Sequence, residues 1–180
     1  MDIDQARAIE EQIPALRRYA RALVRDADKA DDLVQDCLER SVARIEQFAP
    51  GTNLRTWLFT IMHNLHCDTL RRVQRRGPHV PINEWESNAQ YPATQSTAVE
   101  IREFERAFAR LTKRDQHLLL LVGVEGFSYE EVSEVLGIAV GTVKSRLFRA
   151  RERLRALHGE SQAMLLAAMQ STPALSSSRN

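Results

Sequence analysis

The sequence predicts an all-α protein of two small helical domains joined by a flexible linker. Three observations carry this. No stretch alternates apolar and polar residues over the length of a strand, apolar residues recur at steps of three and four, and the seven glycines and six prolines fall mostly at apparent element boundaries. Residues 78–98 hold Pro78, Pro81 and Pro92 amid Ser, Thr, Asn and Gln with no helical period, which reads as the linker. The 180 residues thus divide into a first domain at 1–77, the linker at 78–98, a second domain at 99–160 and a C-terminal tail at 161–180. Trp85 and Tyr91 in the linker read as packing residues or as anchors for a partner. The Ser-rich end, Thr172 to Asn180, is expected to fray.

The first block opens with a helix expected over 5–25. Asp26-Ala27-Asp28 then reads as a stop and a new N-cap. The helix that follows, to about Phe48, places Leu33, Val34, Cys37, Leu38, Ser41, Val42 and Ile45 on one stripe. Asp32, Gln35, Asp36 and Glu39 are left at its edges or outside, an acidic surface that by itself reads as a solvated face. Pro50-Gly51 forces a turn, and Asn53 is a good cap for the next helix.

That helix, expected over 54–76, has two distinct faces. At 100° per residue, Leu54, Trp57, Leu58, Ile61 and Leu65 fall within about 60° of one direction and form a core face. Opposite lie Thr56, Phe59, Thr60, His63, Cys67 and Leu70, followed by Arg71, Arg72, Arg75 and Arg76. An outward Phe with hydroxyls, an imidazole and trailing arginines suits a strand of nucleic acid, with bases stacking on the ring and phosphates held by the cations. The same pattern also suits Phe59 and Leu70 packing on another helix, with the arginines a solvated last turn favoured by the helix dipole. This helix alone does not decide between the two.

In the second block Ile101, Phe104, Phe108 and Leu111 recur with helical spacing, and Leu118 to Val122 continues a buried helix that Gly126 ends. Ser128-Tyr129-Glu130-Glu131 is a capping box. The short helix it starts buries Val132, Val135 and Leu136 and stops at Gly137, and a long basic helix follows. Short helix, glycine turn and basic helix make a helix-turn-helix. In the last helix Val140, Val143, Leu147, Ala150, Leu154 and Leu157 form one narrow core stripe. Opposite project Ser145, Phe148, Arg149 and Glu152, flanked by Lys144, Arg151 and Arg155. In a DNA major groove Phe148 suits a thymine methyl, Arg149 a guanine and Glu152 a cytosine. Lys144, Arg146, Arg151, Arg153 and Arg155 suit phosphates, which position without specifying.

Other classes are excluded more simply. No apolar run exceeds the seven residues of Leu118 to Val124, where about 20 are needed to span a bilayer, so no membrane insertion is expected. Met1-Asp2-Ile3-Asp4 is acidic with no apolar stretch behind it, so no secretory signal is expected. Two cysteines, Cys37 and Cys67, make no disulfide framework, and a cytoplasmic protein with reduced thiols is expected. No phosphate-binding glycine loop or nucleophile motif is present, so neither an enzyme nor a cofactor is expected. His63-Asn64-Leu65-His66-Cys67 superficially suggests a metal site, but no Cys-x-x-Cys completes it and no metal is expected.

Taken together, Asp31-Asp32-Leu33-Val34-Gln35-Asp36, Thr56-Trp57-Leu58, Ser128-Tyr129-Glu130-Glu131 and Val140 through Arg151 resemble the extracytoplasmic-function sigma factors, two-domain initiation subunits of bacterial RNA polymerase. The resemblance covers roughly residues 10–157. Leu16 to Leu23 and Pro50 to Arg55 resemble the general-stress-response subgroup of alphaproteobacteria. The resemblance implies a region 2-like bundle and a region 4-like helix-turn-helix domain. It implies that Asp32, Gln35, Asp36 and Glu39 grip the polymerase clamp helices, and that core polymerase is met at its clamp helices and flap. Phe48, Thr52 and Asn53 in the loop, with Thr60, His63, Asn64, Cys67, Arg71 and Arg72 on the helix, are implied to capture the melted −10 strand. Lys144, Ser145, Arg146, Phe148, Arg149, Arg151 and Glu152 match the positions that read the −35 duplex. Promoter DNA, core polymerase and an anti-sigma factor are the implied partners. One departure is Ala139, where the family carries Ser or another capping residue, a loss of about 1 kcal/mol of helix stability.

Two other functions compete. A stand-alone helix-turn-helix regulator explains residues 128–157 but leaves the first block without a task. A sigma-like decoy that binds an anti-sigma factor needs no reading face, which Phe148 and Arg149 supply. The net charge of +1, from 25 basic and 24 acidic residues, looks unsuited to DNA. It is a sum of opposed blocks. Residues 26–46 carry −4, 47–77 carry +4, 78–105 carry −4 and 139–157 carry +5. Weak net attraction limits unassisted binding to random DNA while two basic surfaces and an acidic one stay distinct.

Overall fold

Pro14 breaks the first expected helix in two. Helix α1 spans Ile3–Glu10 and α2 spans Ile13–Val24, with the chain turning at Glu11 and Gln12. Proline has no N–H to donate to the Glu10 carbonyl and its ring crowds that oxygen, so it fits only the first turn of a new helix. The computed structural model describes residues 3–24, 26–49, 51–75 and 95–170, and every element among them is helical. Trp85, Tyr91, most of the expected linker and the Thr172–Asn180 end lie outside the described residues.

Helix α3 (Ala27–Ala43) starts where Asp26 Oδ1 accepts from the Lys29 amide at 3.1 Å, as the cap reading expects. It buries Leu33, Val34, Cys37 and Ser41 and ends five residues earlier than expected, passing into a 3₁₀ turn over Ile45–Gln47. The buried line follows Leu33, Cys37 and Ser41, which leaves Val42 on its outer flank, 45% exposed rather than in the stripe. Burial pushes the Cys37 thiol up to about 12, so it acts as a small apolar group. Helix α4 (Leu54–Arg75) is capped by Asn53, whose Oδ1 accepts from the Thr56 amide at 3.3 Å.

Helix α5 (Gln95–Ala109) begins inside the segment read as linker, and it is turned away from the expected face. Glu103, Ala107 and Leu111 are buried along one line, while Ile101 and Phe104 are 36% and 48% exposed. Helix α5 packs on the long last helix, with the small Ala107 fully buried in the middle of that line. Helix α6 (Lys113–Gly123) starts at a Thr112 cap on the Asp115 amide, 3.2 Å. Buried Gln116 ties the α5–α6 turn by donating from Nε2 to the carbonyls of Phe108, Ala109 and Leu111 at 2.9, 3.2 and 3.0 Å. Helices α7 (Tyr129–Leu136) and α8 (Val140–Gln170) follow, with α8 running through the first half of the expected tail.

Helices α2, α3 and α4 pack on one another, as do α5, α6, α7 and α8. Across these groups α4 packs on α7 and α2 on α6, so one cluster of buried side chains runs from Leu16 through Phe59 and Phe127 to Leu147. The first block therefore uses both sides of α4, one against α3 and the other against the second block.

Candidate nucleic-acid interface

The helix-turn-helix is built by local bonds the sequence dictates. Ser128 Oγ accepts from the Glu131 amide at 3.2 Å, and Glu131 Oε2 accepts from the Ser128 amide at 2.8 Å. Gly137 closes α7 at φ +63°, a left-handed conformation that a side chain would strain. Val143, Leu147 and Ala150 of α8 are fully buried, which fixes the rotation of the helix. Phe148 is consequently 68% exposed, surrounded by exposed Lys144, Ser145, Arg149, Arg151 and Glu152, with Arg146 half-buried. Arg149 Nε donates to the Ser145 carbonyl at 3.2 Å, and Glu152 pairs with Arg155. Arg153, expected at a phosphate, is instead paired with Asp115 of α6 at 2.9 Å. A large ring held in water among cations is costly as surface and suited to a base edge.

On α3 the acidic residues Asp32, Asp36 and Glu39 and the amide Gln35 are all exposed, with Gln35 Nε2 donating to Glu39 Oε1 at 3.0 Å. Asp36 and Glu39 line a groove between α3 and α4 whose far wall holds Leu65, Asp68 and Arg72. This surface carries charge without burial and is free for a protein partner.

The other expected DNA face is placed differently. Phe59 is completely buried, its ring 4.8 Å from Phe127 of the second domain and 5.1 Å from Tyr19. An outward, base-stacking Phe59 is therefore corrected: of the two open readings, packing on another helix holds, because the apolar ring finds the α6–α7 loop as cover. Thr56 is buried too. Thr60 is half-buried with its hydroxyl donating to the Thr56 carbonyl at 2.8 Å, and His63 and Cys67 are half-buried with Nε2 and Sγ 3.4 Å apart. Asn64, Arg71 and Arg72 remain exposed, Arg71 paired with Asp68 at 3.2 Å. In the preceding loop Phe48 is half-buried against Trp57, ring centroids 5.3 Å apart, and Thr52 is exposed with its hydroxyl donating to the Ala49 carbonyl at 2.7 Å. Asn53 is engaged at both ends of its amide, capping α4 and donating to Glu131 Oε1 at 2.7 Å.

The residues that close this seam escaped sequence reasoning. Glu125, its side chain 1% exposed, accepts from Arg18 Nε and Nη2 at 3.3 and 3.1 Å and from Arg55 Nη2 at 3.0 Å. Arg55 also donates to the Glu125 carbonyl at 2.7 Å and lies over the Phe127 ring at 4.4 Å. One acid at the end of α6 thus joins α2, α4 and the second domain. A single Glu after an apolar run has no periodicity or motif to announce it. His117 of α6, which meets His63 and His66, was equally silent. Among the described residues no group of His, Cys, Asp and Glu is arranged to hold a metal ion, and no helix is long and apolar enough to cross a membrane.

Residues 9–63 match the family model for the Sigma2 domain of PhyR, and residues 101–154 match that for Sigma-70, region 4. The chain is 42% identical over 145 residues to the ECF RNA polymerase sigma factor EcfG of Rhodopseudomonas palustris, covering 81% of this chain and 80% of that one. The chain belongs to the extracytoplasmic-function sigma factors. As such it directs promoter-specific transcription initiation by RNA polymerase. Another relative, SigM of Mycobacterium tuberculosis, is 33% identical over 80% of this chain and 71% of its own. Among solved structures, the sigma factor RpoE in complex with the anti-sigma factor NepR from Bartonella quintana superposes with a TM-score of 0.74 at 36% identity, covering 86% of this chain and 96% of that one. The PhyRSL–NepR complex from Sphingomonas sp. Fr1 shares the fold, with a TM-score of 0.62 at 23% identity over 88% of this chain and 90% of that one.

Proposed function

We propose that this sigma factor reads the −35 duplex through Lys144, Ser145, Arg146, Phe148, Arg149, Arg151 and Glu152, and grips the polymerase clamp helices through Asp32, Gln35, Asp36 and Glu39. The observation that carries this reading is the pairing of an exposed Phe148 on a capped basic helix with an exposed acidic face on α3. The −10 strand is taken by Phe48, Thr52, Asn53, Thr60, His63, Asn64, Cys67, Arg71 and Arg72. That assignment requires the second domain to move off α4, since Asn53, His63 and Cys67 lie in the closed seam. Unstacking a base costs a few kcal/mol, which contacts in the loop offset.

The likeness to EcfG and to the NepR-bound RpoE supports a stress-response role and an anti-sigma partner of the NepR kind. The protein acts in the cytoplasm with core polymerase, which performs the phosphodiester chemistry while the sigma factor performs none. The test is run-off transcription with core enzyme and mapped start sites. A restricted set of promoters, lost when Asp36→Arg prevents association with core, is the expected result. Promoter-duplex binding unaffected by core enzyme, with no directed transcripts, would instead mark a stand-alone regulator. Binding to an anti-sigma factor with no transcripts at all would mark a decoy.

A further inference from the structure

Three imidazoles meet where α2, α4 and α6 converge. His63 and His66 come from α4 and His117 from α6, in the other domain. The His117 ring lies 5.4 Å from His63 and 5.2 Å from His66, edge-on to both, and 6.5 Å from Tyr19 of α2. His66 and His117 are only 6% and 4% exposed. His66 Nε2, His117 Nε2 and His63 Nδ1 are buried without a hydrogen-bond partner. Tyr19 from α2 lies beside His117, Arg71 from α4 acts on His63, and Lys113 from α6 acts on His66 and His117; Cys67, beside His63, is flanked by Asp68, Arg71 and Arg114, and Glu125 in the α6–α7 loop acts on Tyr19. Asp68 is already paired with Arg71. A proton added to any ring is thus desolvated, lies beside two other imidazoles and faces lysine or arginine.

We propose that this histidine cluster makes the closed packing of the two domains acid-sensitive, protonation driving the second domain off the α4 face. The consequence for DNA rests on the reading of α4 as the strand-capturing helix, while the opening itself does not. Burial, reinforced by the neighbouring imidazoles and Lys113, pushes His66 down to about 4 and His117 down to about 3, and burial with Arg71 lowers His63. Once the domains separate, each returns toward the ordinary histidine value of about 6.5. The closed arrangement is therefore fully stable above about 6.5 and loses stability as pH falls from there toward the closed-state values. Between pH 7.5 and 5.5 each of His66 and His117 multiplies the open-to-closed ratio about tenfold, about a hundredfold together.

The test uses the full chain, with a single-molecule energy-transfer pair at Arg40 on α3 and Arg151 on α8, titrated from pH 7.5 to 5.5 while far-ultraviolet circular dichroism follows helicity. The same titration in Glu125→Gln brings a strongly closed equilibrium into measurable range. The expected result is a rise of about a hundredfold in the open-to-closed ratio at constant helicity, reduced by about a hundredfold in the His66→Gln/His117→Gln double variant. A ratio that does not change with pH in either background overturns the proposal, as does a full response that persists in the double variant. Acid opening without any gain in binding of a single-stranded −10 oligonucleotide leaves the switch standing and removes the strand-capture role of α4.

Discussion

Helices α4 and α8 both carry a phenylalanine opposite a clean apolar stripe, with arginines nearby, and the fold treats them in opposite ways. Phe148 on α8 is 68% exposed, whereas Phe59 on α4 is completely buried against Phe127 and Tyr19. Periodicity gives the direction of a side chain from its own helix axis and says nothing about what comes to meet it. On α8 the stripe of Val143, Leu147 and Ala150 satisfies the one core that helix touches. Helix α4 packs on both α3 and α7, and its Phe59 is covered by Phe127 from the loop before α7 and by Tyr19 of α2. The face proposed to read the −35 duplex is thus exposed in the free protein, whereas part of the face proposed for the −10 strand, at Asn53, His63 and Cys67, lies against the second domain.

The largest effect that breaks this contrast comes from Phe127→Ala. It leaves a cavity between Phe59 and Arg55 and should cost about 3 to 5 kcal/mol of the closed packing. Hydrogen exchange should show the α4 amides losing protection while those of α8 through Ala150 keep theirs; equal loss in both helices would mean that the two surfaces are not independent. Glu125→Gln comes next. A buried acid is removed from two arginines, but Arg18 is 56% and Arg55 31% exposed, so water replaces part of the interaction and the cost should be about 2 kcal/mol. Exchange in α4 again reads the effect, and an unchanged rate would make the pairing incidental to closure.

The smaller effects sharpen the other side of the comparison. Arg149→Ala should lose about 1 to 3 kcal/mol of discrimination at one −35 base, measured by competition among promoter duplexes. Uniform weakening at every sequence would make Arg149 a phosphate contact. Ala139→Ser should restore an N-cap to α8 and add about 1 kcal/mol to thermal stability without altering sequence preference. No gain would show that the Ala139 carbonyl, which accepts from the Thr142 and Val143 amides at 2.8 and 3.0 Å, already suffices for that terminus.

Much of the local structure was legible in the sequence because its determinants are local. Asp26, Asn53 and Ser128 are cap residues by type and position and make their bonds, and Gly137 ends α7 as a glycine in that place should. The reading face of α8 followed from a stripe of six apolar residues. What escaped depends on contacts between distant segments. Glu125 reaches Arg18 across 107 residues and Arg55 across 70, and no spacing rule connects them. Ile101 and Phe104 are apolar at helical intervals, yet the buried line of this segment runs through Glu103, Ala107 and Leu111 and leaves them outward. Pro14 stands in the sequence as a local helix breaker inside the span expected as one helix, and it divides that span into α1 and α2.

We propose that one DNA surface is available in the free chain and the other stays closed until the second domain moves off α4 in the polymerase complex. It is tested most directly by measuring, for one promoter mapped by run-off transcription, the affinity of the free chain and of its core-polymerase complex for two probes, the −35 duplex and the single-stranded −10 segment. The free chain should bind the duplex with a preference for the promoter sequence, and should bind the strand on the order of a hundredfold more weakly than the complex does. Strand binding by the free chain as tight as by the complex would contradict the account.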